Sequence, residues 1–253
     1  METMRDILDA VATGQLDADQ AADQIAALRE RQRGSDLEPS PIQDILVKAG
    51  GARLVVIADP SVSEAVVEGS HRVQRDGHTL VITTNAGEGD YSAAPPRSAL
   101  LNWLTSVVDR AGQTLTVRVN PALPLRVLIV GGTLDLTGGT AGTSVGVEAG
   151  SARLGEGSGP LQVDVVSGSA KVDWTFDAES TVKVDMGSAQ VRVRPDSNVR
   201  ITAEAGLGQA VVKTDEAMHK ADGESATPEV VVGSGAGTLH AAARMGSVQV
   251  TVG

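Results

Sequence analysis

Cysteine is absent from the 253 residues. That excludes disulfides, thiolate metal sites, iron–sulfur clusters and a cysteine nucleophile together, while leaving the redox compartment open. Aromatic residues are scarce, 2% of the chain against 41% hydrophobic residues in all. A core must therefore be assembled from Val, Leu, Ile and Ala rather than from rings. Positive charge is in deficit, with 21 Lys and Arg against 32 Asp and Glu and a formal net charge of -11. Such a chain has no general attraction to a phosphate backbone or an anionic lipid surface, and no nucleic-acid partner is expected. Long apolar runs are missing, and the segment Met1–Asp6 is not a basic stretch leading into an apolar one. The expectation is a soluble, unexported chain, cytoplasmic and membrane-associated at most through a peripheral contact. Glycine, by contrast, is in excess at 29 residues without a Gly-X-Y period, which signals many turns.

The first thirty residues read as a helical hairpin. Met4, Ile7, Leu8 and Val11 fall at helical spacing and stop at Thr13-Gly14, where glycine can take the left-handed conformation that ends a helix. Asp17-Ala18-Asp19-Gln20 then has the shape of a capping box, with Leu16 positioned to staple the first turn and Ala21, Ile25 and Leu28 continuing the stripe. Arg29, Arg31 and Arg33 suit its C-terminal dipole. So small a unit buries too little surface to stand alone and must dock on its own chain or on another. Residues 1–33 form this module, residues 34–52 read as a linker bracketed by Pro39, Pro41 and Gly50-Gly51, and residues 53–253 form the main domain. Within the linker, Ile42 to Val47 fits either one helical turn or a strand.

From Arg53 the period becomes strand-like: Leu54–Ile57, Ala65–Val67, Arg72–Arg75, a turn at Asp76-Gly77, and Thr79–Ile82. One insertion, about residues 97–110, returns to helical spacing through Leu100, Leu101, Leu104, Val107 and Val108 beside Trp103. It reads as an amphipathic helix packed on one end of a sheet, or as an exposed helix with Trp103 as an interfacial anchor.

The rest of the chain repeats itself. Gly150-Ser151-Ala152, Gly168-Ser169-Ala170 and Gly187-Ser188-Ala189 each open a short alternating strand, with Gly208-Gln209-Ala210 and Gly246-Ser247-Val248 as variants. The first three begin 18 and 19 residues apart (168−150 and 187−168), with a second strand in each interval. Short strands and glycine turns at this period define a mainly β chain of the β-solenoid class, a single-stranded β-helix-like repeat, carrying a small helical hairpin and one inserted helix. Its narrow interior suits branched aliphatics and explains the missing rings. Its ends need covers, since bare edge strands pair with other chains.

No catalytic residue, metal ligand or cofactor is assigned. Gly142-Thr143-Ser144-Val145-Gly146 matches a nucleophile elbow by letter, with Asp215 and His219 or His240 following, but no strand-to-helix turn surrounds it. The glycine runs Gly155–Gly159 and Gly233–Gly237 lack the spacing of phosphate loops and read as plain loops. His71 and His78 flank the Asp76-Gly77 turn and could approach each other across it, without the spacing of a metal site. Charges of alternating sign, Lys171 with Asp173, Lys183 with Asp185, Arg192 and Arg194, and Arg200 with Glu204, are expected to stack into ladders on a solvated face. A polysaccharide-binding or polysaccharide-active β-helix is the alternative, and Trp174 and Phe176 are the rings placed to serve it.

Two stretches resemble known families. Ile7 to Ala22 resembles the SHOCT-like bihelical module, and residues 53–253 resemble the adhesin-like β-strand-repeat family called Toastrack, through Val66–Ile82 and Val117-Arg118-Val119-Asn120-Pro121. Gly-Ser-Ala stands here where Gly-Asp-Val or Gly-Asp-Ile is common in that family. The pairing is the arrangement of bacterial envelope-stress proteins of the YvlB and LiaX type. The resemblance implies a non-enzymatic scaffold or interaction protein linked to membrane stress, without catalytic residues or cofactors. Its partners would be other proteins or itself, as a homo-oligomer. The candidate interaction residues are Ile7, Leu8, Val11, Ile25 and Leu28 on the hairpin, and Leu101, Trp103 and Leu104 on the insertion.

Overall fold

A computed structural model describes Asp17 and residues 41–84, 114–222, 225–227 and 229–253. Alternating apolar residues and glycine turns produce sixteen strands among the described residues. The first five are β1 (Asp44–Ala58), β2 (Ala65–Glu68), β3 (His71–Asp76), β4 (Thr79–Thr84) and β5 (Thr114–Val119). The repeats follow as β6 (Leu125–Thr137), β7 (Thr143–Ser158), β8 (Leu161–Thr175) and β9 (Glu179–Val193). The remainder are β10 (Val199–Ala205), β11 (Gln209–Lys213), β12 (Met218–Asp222), β13 (Ser225–Ala226), β14 (Val230–Val232), β15 (Gly237–Ala243) and β16 (Ser247–Val252). No helix occurs among the described residues, and all strands join one sheet system. Residues 1–41 and 42–253 separate into two units.

Strands β6 to β9 pair in sequence order and parallel, with register shifts around Val130 in β6/β7 and between Leu154 and Gly157 in β7/β8. Ser158 ends β7 and Leu161 begins β8. A straight fifteen-residue strand spans about 50 Å, and a two-residue link cannot bring the chain back over that distance. Each long strand is therefore folded in two, and the glycine of the Gly-Ser-Ala motif is the fold point. Gly150, Gly168 and Gly187 have φ of +123°, +132° and +157°. A Cβ on Gly168 would overlap the carbonyl oxygen of Gly150, and the same holds from each glycine to the next along Gly132, Gly150, Gly168, Gly187, Gly246 and Gly208. The motif is thus a steric column in which only hydrogen fits.

Inward positions of both halves build one apolar interior. In the first halves, Val47, Val127, Val145, Val163 and Val182 follow one another across the ladders. In the second halves, Leu54, Leu134, Ala152, Ala170 and Ala189 do the same, and all of these side chains are buried. Trp174 is fully buried, and its indole N–H donates to the Gly159 carbonyl at 3.0 Å. It lies against Gly157, where a Cβ would overlap the ring. Glu156 supplies the room, a non-glycine residue at φ +57° within an irregularity between Leu154 and Gly157. The stretch Gly155–Gly159, expected as a loop, is thus mostly a bulge at the end of β7.

The spatial order departs from the chain order at both ends. β1 lies between β6 and the pair β4/β5. At the other end β15 and β16, last in the chain, lie between β9 and the pair β10/β11. Beyond these outer turns stand antiparallel strands: β3 on β4 and β2 on β5 at one end, β13 and β14 on β10 and β12 on β11 at the other. These strands hold two to six residues, and β3 carries His71, Arg72, Arg75 and Asp76, so the edges are short or charged.

Several expectations change. The strand alternative for Ile42–Val47 holds, and β1 runs from Asp44 through the stretch expected as a linker, with Gly51 at φ +65° and Ala52 opposite the fold-point Gly132. The Asp76-Gly77 hairpin forms, with Asp76 opposite Thr79 and Gly77 at φ +58°. His71 pairs with Thr84 at the far end of that hairpin from His78, so the two histidines do not meet. The helical hairpin of residues 1–33 and the insertion at 97–110 lie outside the described residues.

Candidate interaction surface

The outward positions of the second halves form two parallel rows. One is hydroxylic: Thr133, Ser151, Ser169, Ser188 and Ser247 stand in register on successive turns. The next carries Asp135, Arg153, Lys171, Gln190 and Gln249. Between the rows runs an open groove of about 420 Å³ that also reaches Arg53. Asp135 bridges two cations, Arg53 at 2.8 Å and Arg153 at 3.7 Å. Asp173 lies 3.4 Å from the Nε of Arg194 and 4.0 Å from Arg192. These pairs are largely exposed, so each contributes about 1 kcal/mol at most. They order the side chains more than they hold the fold.

The expected charge ladders form only in part. Asp164 faces Lys183 and Asp173 faces Arg192 on neighbouring turns. Lys171, however, lies between Arg153 and Gln190. Arg200 turns from Glu204 to Glu229 at 3.1 Å and to the Gly235 carbonyl, and Glu204 instead lies 3.8 Å from His240. The reason is topological: β14 and β15 flank β10 on its two sides and bring in partners that no local spacing announces.

At the β1 end, Asp44 joins three strands. It accepts hydrogen bonds from Thr79 Oγ1 at 2.6 Å and from Arg126 at 2.7 Å. Burial raises its pKa, but the Thr79 hydroxyl and the Arg126 guanidinium outweigh burial and hold the carboxyl below the ordinary aspartate range. Asp59 is likewise lowered, by the Ser61 hydroxyl and amide that cap its turn, with Arg118 at 3.9 Å adding a smaller effect.

Ser144 sits within β7, in the row between Arg126 and Gln162, and no strand-to-helix turn presents it as a nucleophile. His240 stands in the same row beyond Gln162 and Thr181. Among the described residues no group of three His, Cys, Asp or Glu side chains is placed to hold a metal ion. Trp174 and Phe176, the rings considered for sugar stacking, are both fully buried. They belong to the interior and offer no platform. Ile7, Leu8, Val11, Ile25, Leu28, Leu101, Trp103 and Leu104 all lie outside the described residues.

Sequence reading missed one feature. Val166, Met186, Met245 and Leu207 are 44%, 49%, 50% and 88% exposed, and all stand one or two residues before a fold-point glycine. Because β16 follows β9 and β11 follows β16 in space, these four side chains occupy successive turns. Met186, Met245 and Leu207 stand in one register row, an apolar ridge along the fold line, with Val166 beside it one position earlier, opposite Asp185.

No protein-family model matches the chain, and no curated protein matches it. Among solved structures, a "putative cell adhesion protein" from Clostridium sporogenes is similar over 86% of this chain and 96% of its own, at 13% identity and a TM-score of 0.45. No helix among the described residues is long and apolar enough to cross a membrane.

Proposed function

We propose that this chain is a non-enzymatic scaffold, a two-sided β-solenoid that presents its outward rows to protein partners or to copies of itself. The observation that carries this reading is the register: hydroxylic and charged positions recur on successive turns from Thr133 to Ser247 along an open groove. A surface of that kind offers many equivalent contacts and suits multivalent binding. Residues 1–33 would be the docking module. The resemblance to the Toastrack and SHOCT-like families supports placing such a scaffold in a bacterial envelope- or membrane-stress response. The polysaccharide reading loses its support with the burial of Trp174 and Phe176.

Light scattering of the full chain beside a truncation starting at Ser35 tests this directly. An oligomeric full chain with a less assembled truncation identifies residues 1–33 as the assembly element. Equal masses leave those residues free to dock elsewhere, and immobilised residues 1–33 should then retain a defined protein. A monomeric chain whose residues 1–33 retain nothing overturns the proposal.

A further inference from the structure

Met186, Met245 and Leu207 each directly precede a fold-point glycine, and the backbone pairs Met245 N to the Asp185 carbonyl and Leu207 N to the Arg244 carbonyl at 2.8 and 2.7 Å. They are therefore neighbours on consecutive turns, roughly 4.8 Å apart. On the turn before them, Ser167 stands in the row opposite Met186, and exposed Val166 lies one position earlier, opposite Asp185. The ridge is convex because the chain reverses there, so it is not a groove for a peptide or a helix.

Its flanks carry the second observation. Asp185 and Arg244 occupy equivalent positions, two residues before Gly187 and Gly246, on the two middle turns of the ridge. Both are exposed. Neither side chain makes an ion pair among the described residues. On the other flank Ser169, Ser188, Ser247 and Gln209 are uncharged. A chain with a net charge of -11 thus carries, among the described residues, an apolar line bordered on the turns of Met186 and Met245 by one acid and one base.

We infer that this ridge is a self-complementary interface for a second copy of the chain, related by a two-fold axis passing between the turns of Met186 and Met245. With two ridges face to face and the stacks running in opposite directions, Met186 meets Met245 of the other copy and Leu207 meets the turn of Val166 and Ser167. Asp185 then comes opposite Arg244, twice, as an isologous interface requires. So short a ridge buries roughly a few hundred Å² on each copy, at the low end of interface sizes. The dimer is therefore weak and concentration-dependent, a second valency beside any assembly through residues 1–33. This inference rests on the scaffold reading. It is separable from it because the ridge lies wholly within residues 42–253.

Charge complementation in the full chain tests it. Asp185→Arg and Arg244→Asp, each alone, set like charges opposite each other twice, and sedimentation should show self-association at least tenfold weaker than in the wild type. Mixed, the two variants restore both opposite pairs, so Asp185→Arg copies should bind Arg244→Asp copies about as tightly as wild type binds itself. Pairing of Asp185 with Arg244 inside one chain cannot produce that rescue. Met186→Ser with Met245→Ser should also weaken association at least tenfold. An oligomeric full chain that none of these substitutions changes overturns the ridge and leaves the scaffold standing. A chain monomeric at every accessible concentration overturns the ridge and self-assembly together.

Discussion

Gly168 is where a single atom decides the backbone. Its φ of +132° and the carbonyl of Gly150 beneath it leave space for hydrogen alone. Gly168→Ala should lower stability by about 2 kcal/mol or more, through strain and displacement of the neighbouring turn. Gly155 meets nothing within 4 Å of an added Cβ, so Gly155→Ala should stay within about 0.5 kcal/mol of wild type. Urea midpoints for the two variants check the contrast. Asp44 belongs to the same scale. Its pKa is depressed in the folded chain by Thr79 and Arg126, so its stabilisation is present above the unfolded aspartate value and is lost as pH falls through the folded one. The stability difference between wild type and Asp44→Asn should accordingly be largest near neutral pH and shrink as the pH is lowered below about 4. A constant difference from pH 7 to pH 3 contradicts that assignment.

At the scale of the element, β8 shows how little aromatic surface the fold needs. Val163, Val165, Ala170 and Val172 fill its inward positions, and Trp174 closes the row over a glycine of the preceding turn. Trp174→Ala should cost about 3 to 5 kcal/mol, because the ring fills a site whose opposite wall is backbone and cannot collapse. The reading of a short strand on either side of each Gly-Ser-Ala was legible from alternation, since period two and glycine are local signals. The bulge at Glu156 was not. It is set by the Trp174 ring arriving from the next turn, seventeen residues on by register.

For the whole molecule the governing fact is that the first and last turns in the chain are not the outermost in space. β15 and β16 separate β9 from β10 and β11. Removing residues 237–253 should expose two parallel edges at once and split the interior, where removing an ordinary end turn would merely shorten it. The expected result is loss of a single cooperative unfolding transition together with aggregation through the bare edges. A truncated chain that unfolds in one sharp transition at the wild-type midpoint rules that out.

The sequence by itself determined the strand period, the 18- and 19-residue repeat, the glycine fold points and the aliphatic interior, all of which depend on residues near one another in the chain. The tertiary structure decided the order of the turns, the partner of Arg200, the burial of Trp174 and Phe176, and the ridge made by Met186, Met245 and Leu207. Those depend on which distant segment lies alongside, and parallel pairing leaves that choice open, because any turn with the same period fits against any other. The interior rows are alike from turn to turn. What selects among the stackings is the irregular residues, and their effect exists only once the neighbours are in place.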